Sequence, residues 1–341
     1  MSYPTHNTTP PAKGPLDIEE TAPAQLRLCV GGLCFALEIE HKALRQAIFA
    51  RFHPFVERTH TQPVDARIQI DFIDPAASFW QQSPPLQETH TAKHFGVTAG
   101  FSPAGHRVMF SSYMRGHWTE EGQGTLALAS PTDIDAALQP GWIEREGVHL
   151  QMASAPVLHF ETFFTAMLIH QLLRHDGLLL HASGVVSDNK AFIFAGASGA
   201  GKSTAAKNSP HAQLLSDELV ILRPNKRGTF QAYGTPFYST CGRLGEAIDA
   251  PLHNLFFLVQ SPDNHIATMA PHMLYKQMLQ IICIRHRHHQ ETQQLLQLVD
   301  RLVPYIKALH LRPDPSFWAL LHPEKEHEYV QTQRPDTPSL T

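Results

Sequence analysis

The chain is short of cysteine, of net positive charge and of long apolar runs, and each shortage removes a class of function. Its 341 residues include four cysteines, Cys29, Cys34, Cys241 and Cys283, and no two form a C-x-x-C pair. Such spacing supports neither a zinc site nor a disulfide framework. Cys29 and Cys34, five apart in an apolar run, read as packed thiols. Lys and Arg number 27 against 31 Asp and Glu, a net charge of -4, so there is no basic footprint for nucleic acid. The best candidate for a membrane span, 160–173, is too short to cross a bilayer and carries Glu161, His170 and Gln171. Residues 1–15 lack the apolar segment of a signal peptide. A cytoplasmic protein is therefore expected, with neither nucleic acid nor a membrane as partner.

What is present is the composition of a soluble globular protein, 43% hydrophobic and 17% charged, long enough for two domains. Histidines number 23 but are scattered. Their densest patch, at Arg285, His286, Arg287, His288 and His289, reads as a solvated face rather than a metal site. No internal repeat is visible. Residues 1–24, rich in Pro and Thr, read as a disordered tail. Residues 25–156 read as a sheet-rich region for scaffolding or recognition, with a hairpin around Gly31 and Gly32, a helix at 42–51 and alternating runs at 66–72, 107–112, 124–129 and 147–152. Residues 157–322 read as a catalytic domain and 323–341 as a flexible tail. The helix expected at 157–175 carries Phe160, Phe163, Phe164, Met167, Leu168 and Leu172 on one face, with Gly177 placed to cap it. Further helices are expected at 203–208, 273–283 and 292–309, and strands at 178–186, 191–195, 213–222 and 254–259.

The centre of the chain is the stretch 191–204. There Gly196, Ala197, Ser198, Gly199, Ala200, Gly201, Lys202 and Ser203, followed by Thr204, fit the phosphate-loop pattern G-x-x-x-x-G-K-[ST] without a mismatch. Glycines let backbone N–H groups turn inward around phosphate oxygens, and a helix start adds partial positive charge. Lys202 is placed to reach the β- and γ-phosphates, and the Ser203 hydroxyl to ligate Mg2+. Two further elements converge on the loop. His181 lies 15 residues before Gly196 on the neighbouring strand, and Asp217 and Glu218 begin 15 residues after Lys202. Adjacent acids in an apolar strand are costly unless something pairs them, and a divalent cation is the obvious partner. No LSGGQ-like signature points to an ABC-type ATPase, and no N-K-x-D motif points to a small GTPase.

In order and spacing these elements resemble the HPr kinase/phosphorylase catalytic domain and, more distantly, ATP-dependent phosphoenolpyruvate carboxykinase. The residues that carry the resemblance are Leu180-His181-Ala182-Ser183, the loop 196–204, and Leu215-Ser216-Asp217-Glu218. The uncharacterised HPr-kinase-related proteins share these and the element Gly234-Thr235-Pro236-Phe237. The resemblance covers 177–259, roughly a quarter of the chain. It implies an α/β fold (α+β overall), a P-loop catalytic domain with a mixed sheet preceded by the sheet-rich region. It implies ATP and Mg2+ as cofactors, with the loop wrapping the phosphates and Lys202 bridging β and γ. Asp217 matches the first acid of the family's pair, proposed there as general base, and Glu218 the second, a metal ligand. Either acid can take either role. His181 matches a histidine near the γ-phosphate or metal. Glu218 stands where the family has aspartate. No R-G-x-G segment follows the acids, so phosphorylase activity is not implied, and Arg243 reads as a solvated arginine or as a group facing phosphoryl charge. The expected activity is a kinase acting on a hydroxyl of a protein, peptide or small-molecule acceptor, the N-terminal half recognising it. The alternative is a nucleotide-dependent partner module without transfer. A homo-oligomer is left open.

Overall fold

A computed structural model describes residues 16–80, 86, 89–91, 96–145, 148–209, 211–237, 245–283 and 289–322. The tail at 323–341, most of the tail at 1–24, Cys241, Arg243 and residues 285–288 of the His-rich patch lie outside them. The chain is mixed α/β with several sheets. It divides into two compact units, Met1–His175 with Ile284–Gln290, and Asp176–Cys283 with Glu291–Thr341. Among the described residues no helix is long and apolar enough to cross a membrane.

The first unit contains β1 (Leu26–Val30), β2 (Leu33–Ile39), α1 (Lys42–Phe52), β3 (Ala66–Ile73), β4 (Thr89–Thr91), β5 (Thr98–Phe101), β6 (Arg107–Phe110), β7 (Met114–Trp118), β8 (Gln123–Ala129), α2 (Ile134–Ala137), β9 (Gly141–Arg145), β10 (Val148–Met152) and α3 (Ala155–Arg174). The first eight strands make one sheet in the order β1-β2-β3-β8-β7-β6-β5-β4, and β9 and β10 make a separate hairpin. Gly31 and Gly32 both take positive φ, 63° and 71°, and close the β1–β2 hairpin. That turn puts Cys29 opposite Cys34, and the two sulfurs are bonded. This corrects the packed-thiol expectation: cross-strand register, invisible in the spacing alone, brings the two Cα atoms to 4.2 Å.

The helix α3 belongs to this first unit, so the division falls after His175 rather than after residue 156. Its aromatic face explains why. Phe164 meets Phe35 edge-on at 5.0 Å, Phe160 meets Phe52 at 5.6 Å, and Phe163 meets Trp118 at 5.4 Å. All three helix phenylalanines are fully buried, each stabilising the unit by about 1.5–3 kcal/mol through removal of apolar surface from water. Gly116 on β7 makes room for the helix, since a Cβ there would lie 2.3 Å from the Phe163 ring. The left-handed residue that ends the helix is Asp176, at φ 56°, one position before the glycine expected to do it.

The second unit contains β11 (Leu178–Ser187), β12 (Lys190–Ala195), α4 (Lys202–Lys207), β13 (Gln213–Ser216), β14 (Leu219–Pro224), β15 (Phe230–Tyr233), β16 (Asp249–Gln260), β17 (His265–Ala267), α5 (Pro271–Ile281), α6 (His289–Leu302, its first two residues counted with the first unit), β18 (Ile306–Leu311) and α7 (Trp318–Leu321). Two long strands tie two sheets together. The first half of β11 pairs with β14 and its second half with β12 and β13. Likewise β16 pairs with β15 at its start and then runs parallel to both β12 and β18. The strands β12, β16 and β18 thus form a parallel core in an otherwise antiparallel, mixed arrangement. Phe192, Phe194, Phe256, Leu309, Phe317 and Trp318 pack together on it.

Before the loop, β11 and β12 form an antiparallel hairpin with a turn of two residues. Ser187 pairs with Lys190, and Asp188 and Asn189 take φ 48° and 56°. Two successive positive φ values are the mark of a type I′ turn, which suits the twist of an antiparallel pair. The helix expected over 292–309 is not continuous. It stops at Leu302, a short turn containing Pro304 comes next, and Ile306–Leu311 is strand β18. Pro304 has no N–H to continue the helix, and the last segment, mostly buried, pairs parallel to β16.

Candidate functional site

The glycine loop runs from the C-terminal end of β12 into α4. Gly196, Gly199 and Gly201 take φ values of 148°, 80° and 105°. These are left-handed conformations that side chains resist, so the glycines are needed for the backbone to turn as it does. Ser183 on β11 donates its hydroxyl to the Lys202 carbonyl at 2.9 Å, pinning the helix start to the neighbouring strand. Lys202 Nζ donates to the Gly196 carbonyl at 3.0 Å and lies near that of Ala197 at 3.4 Å. The helix itself has only six residues, so the loop's own N–H groups, rather than a helix dipole, are what it offers an anion.

The acidic pair does not lie inside one strand. The expected strand 213–222 is broken at Asp217 and Glu218, with β13 before and β14 after. Two features make the break. Opposite β11 the register jumps from Gly184–Ser216 to Val185–Leu214, so Leu215 is an extra residue, a β-bulge that re-aims the residues after it. Ser216 then folds the chain: its hydroxyl accepts from Glu218 N at 3.2 Å and Leu219 N at 3.1 Å and donates to the Phe237 carbonyl at 3.1 Å. The bend frees the acids from the two-faced alternation of a regular strand.

Residues Gly234, Thr235 and Phe237 clamp that bend. Thr235 is fully buried. Its N–H donates to the Leu215 carbonyl at 3.2 Å and its hydroxyl to the Leu219 carbonyl at 2.5 Å. Gly234 is needed because a Cβ there would fall 1.9 Å from the Glu246 carbonyl oxygen. The element 234–237 is therefore a support for Asp217 and Glu218.

His181, Lys202 and Glu218 come together. His181 Nδ1 and Glu218 Oε1 are 3.3 Å apart. Burial pushes the His181 imidazole below its usual range, and the nearby Lys202 charge adds to this. Burial pushes the Glu218 carboxyl up, helped by the charge of Asp217 and opposed by Lys202. Lys202 is lowered by burial and partly restored by Glu218. Both shifts disfavour the charged forms, so Coulomb attraction adds little to the His181–Glu218 contact. Asp217 is 3% exposed, beside Glu218 on the bend.

The matching family model is that of the SynChlorMet cassette protein ScmC, over residues 154–298. No curated protein matches the chain. The resemblance to HPr kinase/phosphorylase and to phosphoenolpyruvate carboxykinase is corrected by this match, which is not to a kinase family. Short phosphate-handling elements mislead in this way because the chemistry, not the ancestry, dictates them: a site recurs on unrelated folds. Any activity has to be argued from the side chains themselves.

Mg2+ and a nucleotide fit the residues present. The Asp217 charge raises the cost of ionising Glu218, a cost that a divalent cation relieves, and Ser203 is the second residue of α4. Among the described residues no group of three or more His, Cys, Asp or Glu forms a metal cage. Mg2+ is commonly held by one or two carboxylates together with water and phosphate oxygens.

Two hollows lie outside the sequence expectations. One is a cleft of about 440 Å3 beside the loop, lined by Gly199, Thr204, Gln260, Pro262, Arg312 and Pro313 among others. β18, which ends at Leu311, brings Arg312 there. The other belongs to the first unit, a hollow of about 610 Å3 over β3, β6, β7 and β8, lined by Asp71, Phe79, His106, Arg115, His117 and Thr125 among others. Arg115 stacks on the rings of Phe79 and Trp80, and His106 stacks on His117.

Proposed function

We propose that the second unit is a P-loop phosphotransferase domain that binds a nucleoside triphosphate with Mg2+ and transfers the γ-phosphoryl group to a hydroxyl. The observation that carries this is the convergence of His181, Lys202 and Glu218 beside a loop fitting G-x-x-x-x-G-K-[ST]. Catalysis of this kind is mostly positioning and charge neutralisation. The bound nucleotide and cation would supply the phosphoryl group and most of the countercharge. The chain supplies the rest. Gly196 to Thr204 orient the phosphates, and Lys202 opposes charge on the transferring group. Ser203 and Asp217 hold the cation. Glu218, whose carboxyl burial makes more basic, would in its ionised form accept the proton of the acceptor hydroxyl, with His181 Nδ1 positioned 3.3 Å from it.

The acceptor is a serine of a protein or peptide, or a small-molecule alcohol. The hollow on the first unit, within the ~300–1,000 Å3 of small-ligand sites, supports acceptor recognition there. The test uses γ-labelled ATP, Mg2+ and an extract of the source cell. A labelled acceptor that disappears with Lys202→Ala and with Asp217→Asn supports transfer. Tight ATP binding without transfer or hydrolysis supports a nucleotide-gated partner module instead. Absence of nucleotide binding excludes both.

A further inference from the structure

The cleft beside the loop is built from the carboxyl ends of three parallel strands. Gly199 and Thr204 follow β12, Gln260 ends β16 and is followed by Pro262, and Arg312 and Pro313 follow β18. Ligands of α/β sheets bind outside such ends, where several loops can reach one molecule. The rim is tied in place. Gln260 Nε2 donates to the Gly199 carbonyl at 3.1 Å, Arg312 N donates to Asn264 Oδ1 at 2.8 Å, and Asn208 Nδ2 donates to the Pro313 carbonyl at 3.2 Å. Arg312 Nε meets Asp314 Oδ2 at 3.0 Å while the side chain stays 56% exposed. The cleft's volume lies in the ~300–1,000 Å3 range of small-ligand sites.

Polarity follows from which loop residues face which feature. Lys202, Glu218 and His181 mark the end where a phosphoryl group would react. Gly199 and Thr204 border the cleft. A triphosphate laid along the loop with its transferable end at Lys202 directs its other end into the cleft. The proline rings offer flat apolar surface, Gln260 Oε1 an acceptor, and Arg312 a cation.

We propose that this cleft receives the nucleoside of a nucleoside triphosphate, with Arg312 against the phosphate nearest the ribose. The proposal rests on the phosphotransfer site described above and assigns the part of it that the glycine motif leaves out.

The test titrates two probes, Mg·ATP and Mg·tripolyphosphate, by calorimetry against the full chain and its variants. The unaltered protein is expected to bind ATP the more tightly. Pro313→Trp and, independently, Ser261→Trp, at another residue lining the cleft, fill it and are expected to weaken ATP by about tenfold while leaving tripolyphosphate within about twofold. Lys202→Ala is expected to weaken both probes. If both tryptophan variants leave ATP binding unchanged, or weaken the two probes equally, the nucleoside lies elsewhere although the phosphate site stands. If the unaltered protein binds neither probe, the phosphate site itself is refuted, and the cleft assignment with it. Arg312→Ala, at a side chain 56% exposed and paired with Asp314, is expected to weaken both probes by about fivefold at low salt and less at high salt. No change on its removal overturns its assigned role.

Discussion

Replacing Thr235 with valine perturbs the acidic bend without touching either acid. Valine keeps the shape and loses the hydroxyl that donates to the Leu219 carbonyl at 2.5 Å. The residue is fully buried, so no water replaces the donor. A net hydrogen bond is worth about 0.5–1.5 kcal/mol, and a buried acceptor stripped of a donor costs about 1–3 kcal/mol. The expected loss is therefore about 1–3 kcal/mol, concentrated where β13 meets β14. Thr235→Ser is the control: it keeps the hydroxyl, gives up one methyl, and is expected to cost about 1 kcal/mol through lost burial. Hydrogen–deuterium exchange of peptides spanning 213–224, read by mass spectrometry, reports the local opening free energy directly. Valine is expected to raise exchange there by about fivefold or more, since ~1.4 kcal/mol is a factor of ten, and to weaken Mg·ATP binding in parallel. If serine opens the bend more than valine does, the methyl and not the hydroxyl holds it, and the clamp is wrongly assigned.

Other expectations concern the first unit and the cysteines. Gly116→Ala drives a methyl into the Phe163 ring, 2.3 Å away, and is expected to destabilise that unit by about 1–3 kcal/mol, measured as a lower urea midpoint. His170, which accepts from Trp118 Nε1 at 3.2 Å and contacts Glu120 Oε2 at 3.1 Å, is pushed by burial from 6.5 to about 4. Between those values the unfolded chain holds a proton that the native chain does not, so stability rises with pH across the window and is lost on acidification. The urea midpoint of this unit should fall as pH drops from 6.5, and His170→Gln should flatten the slope. Cys29 and Cys34 should resist alkylation without reductant and react with it, read by peptide mass, while Cys283 reacts in both cases.

The parts of the site that were legible are those where chemistry dictates residue type locally. Only glycine tolerates the φ values of the loop, and Lys202 and Ser203 follow at fixed spacing, so the loop was visible in the sequence. His181 and the acids were visible as polar groups in apolar strands. The hidden parts depend on pairing between distant segments. The bend at Asp217 arises from a bulge opposite Gly184 and from Thr235 across the chain. The cleft depends on β18, whose partner β16 lies some fifty residues earlier, and the apolar spacing of 292–309 masked the change of period at Pro304. The sulfur bond at Cys29 needed the register of a hairpin. The family resemblance failed for the opposite reason: its elements are local, and local phosphate chemistry is shared more widely than descent.

The two-residue turn at Asp188 and Asn189 lies away from the chemistry, yet it fixes a parity. Because it closes with Ser187 on Lys190, Ala182 falls opposite Ala195, and His181 stands beside the first residue of the loop. Strand side chains alternate, so one residue added to that turn shifts the partner strand by a single step and sends the histidine to the opposite face. Lengthening by two restores the face but displaces His181 along the strand. The length of a surface turn thereby sets which side chain the phosphate loop meets, and chains that differ only in this turn would present different chemistry from the same residues.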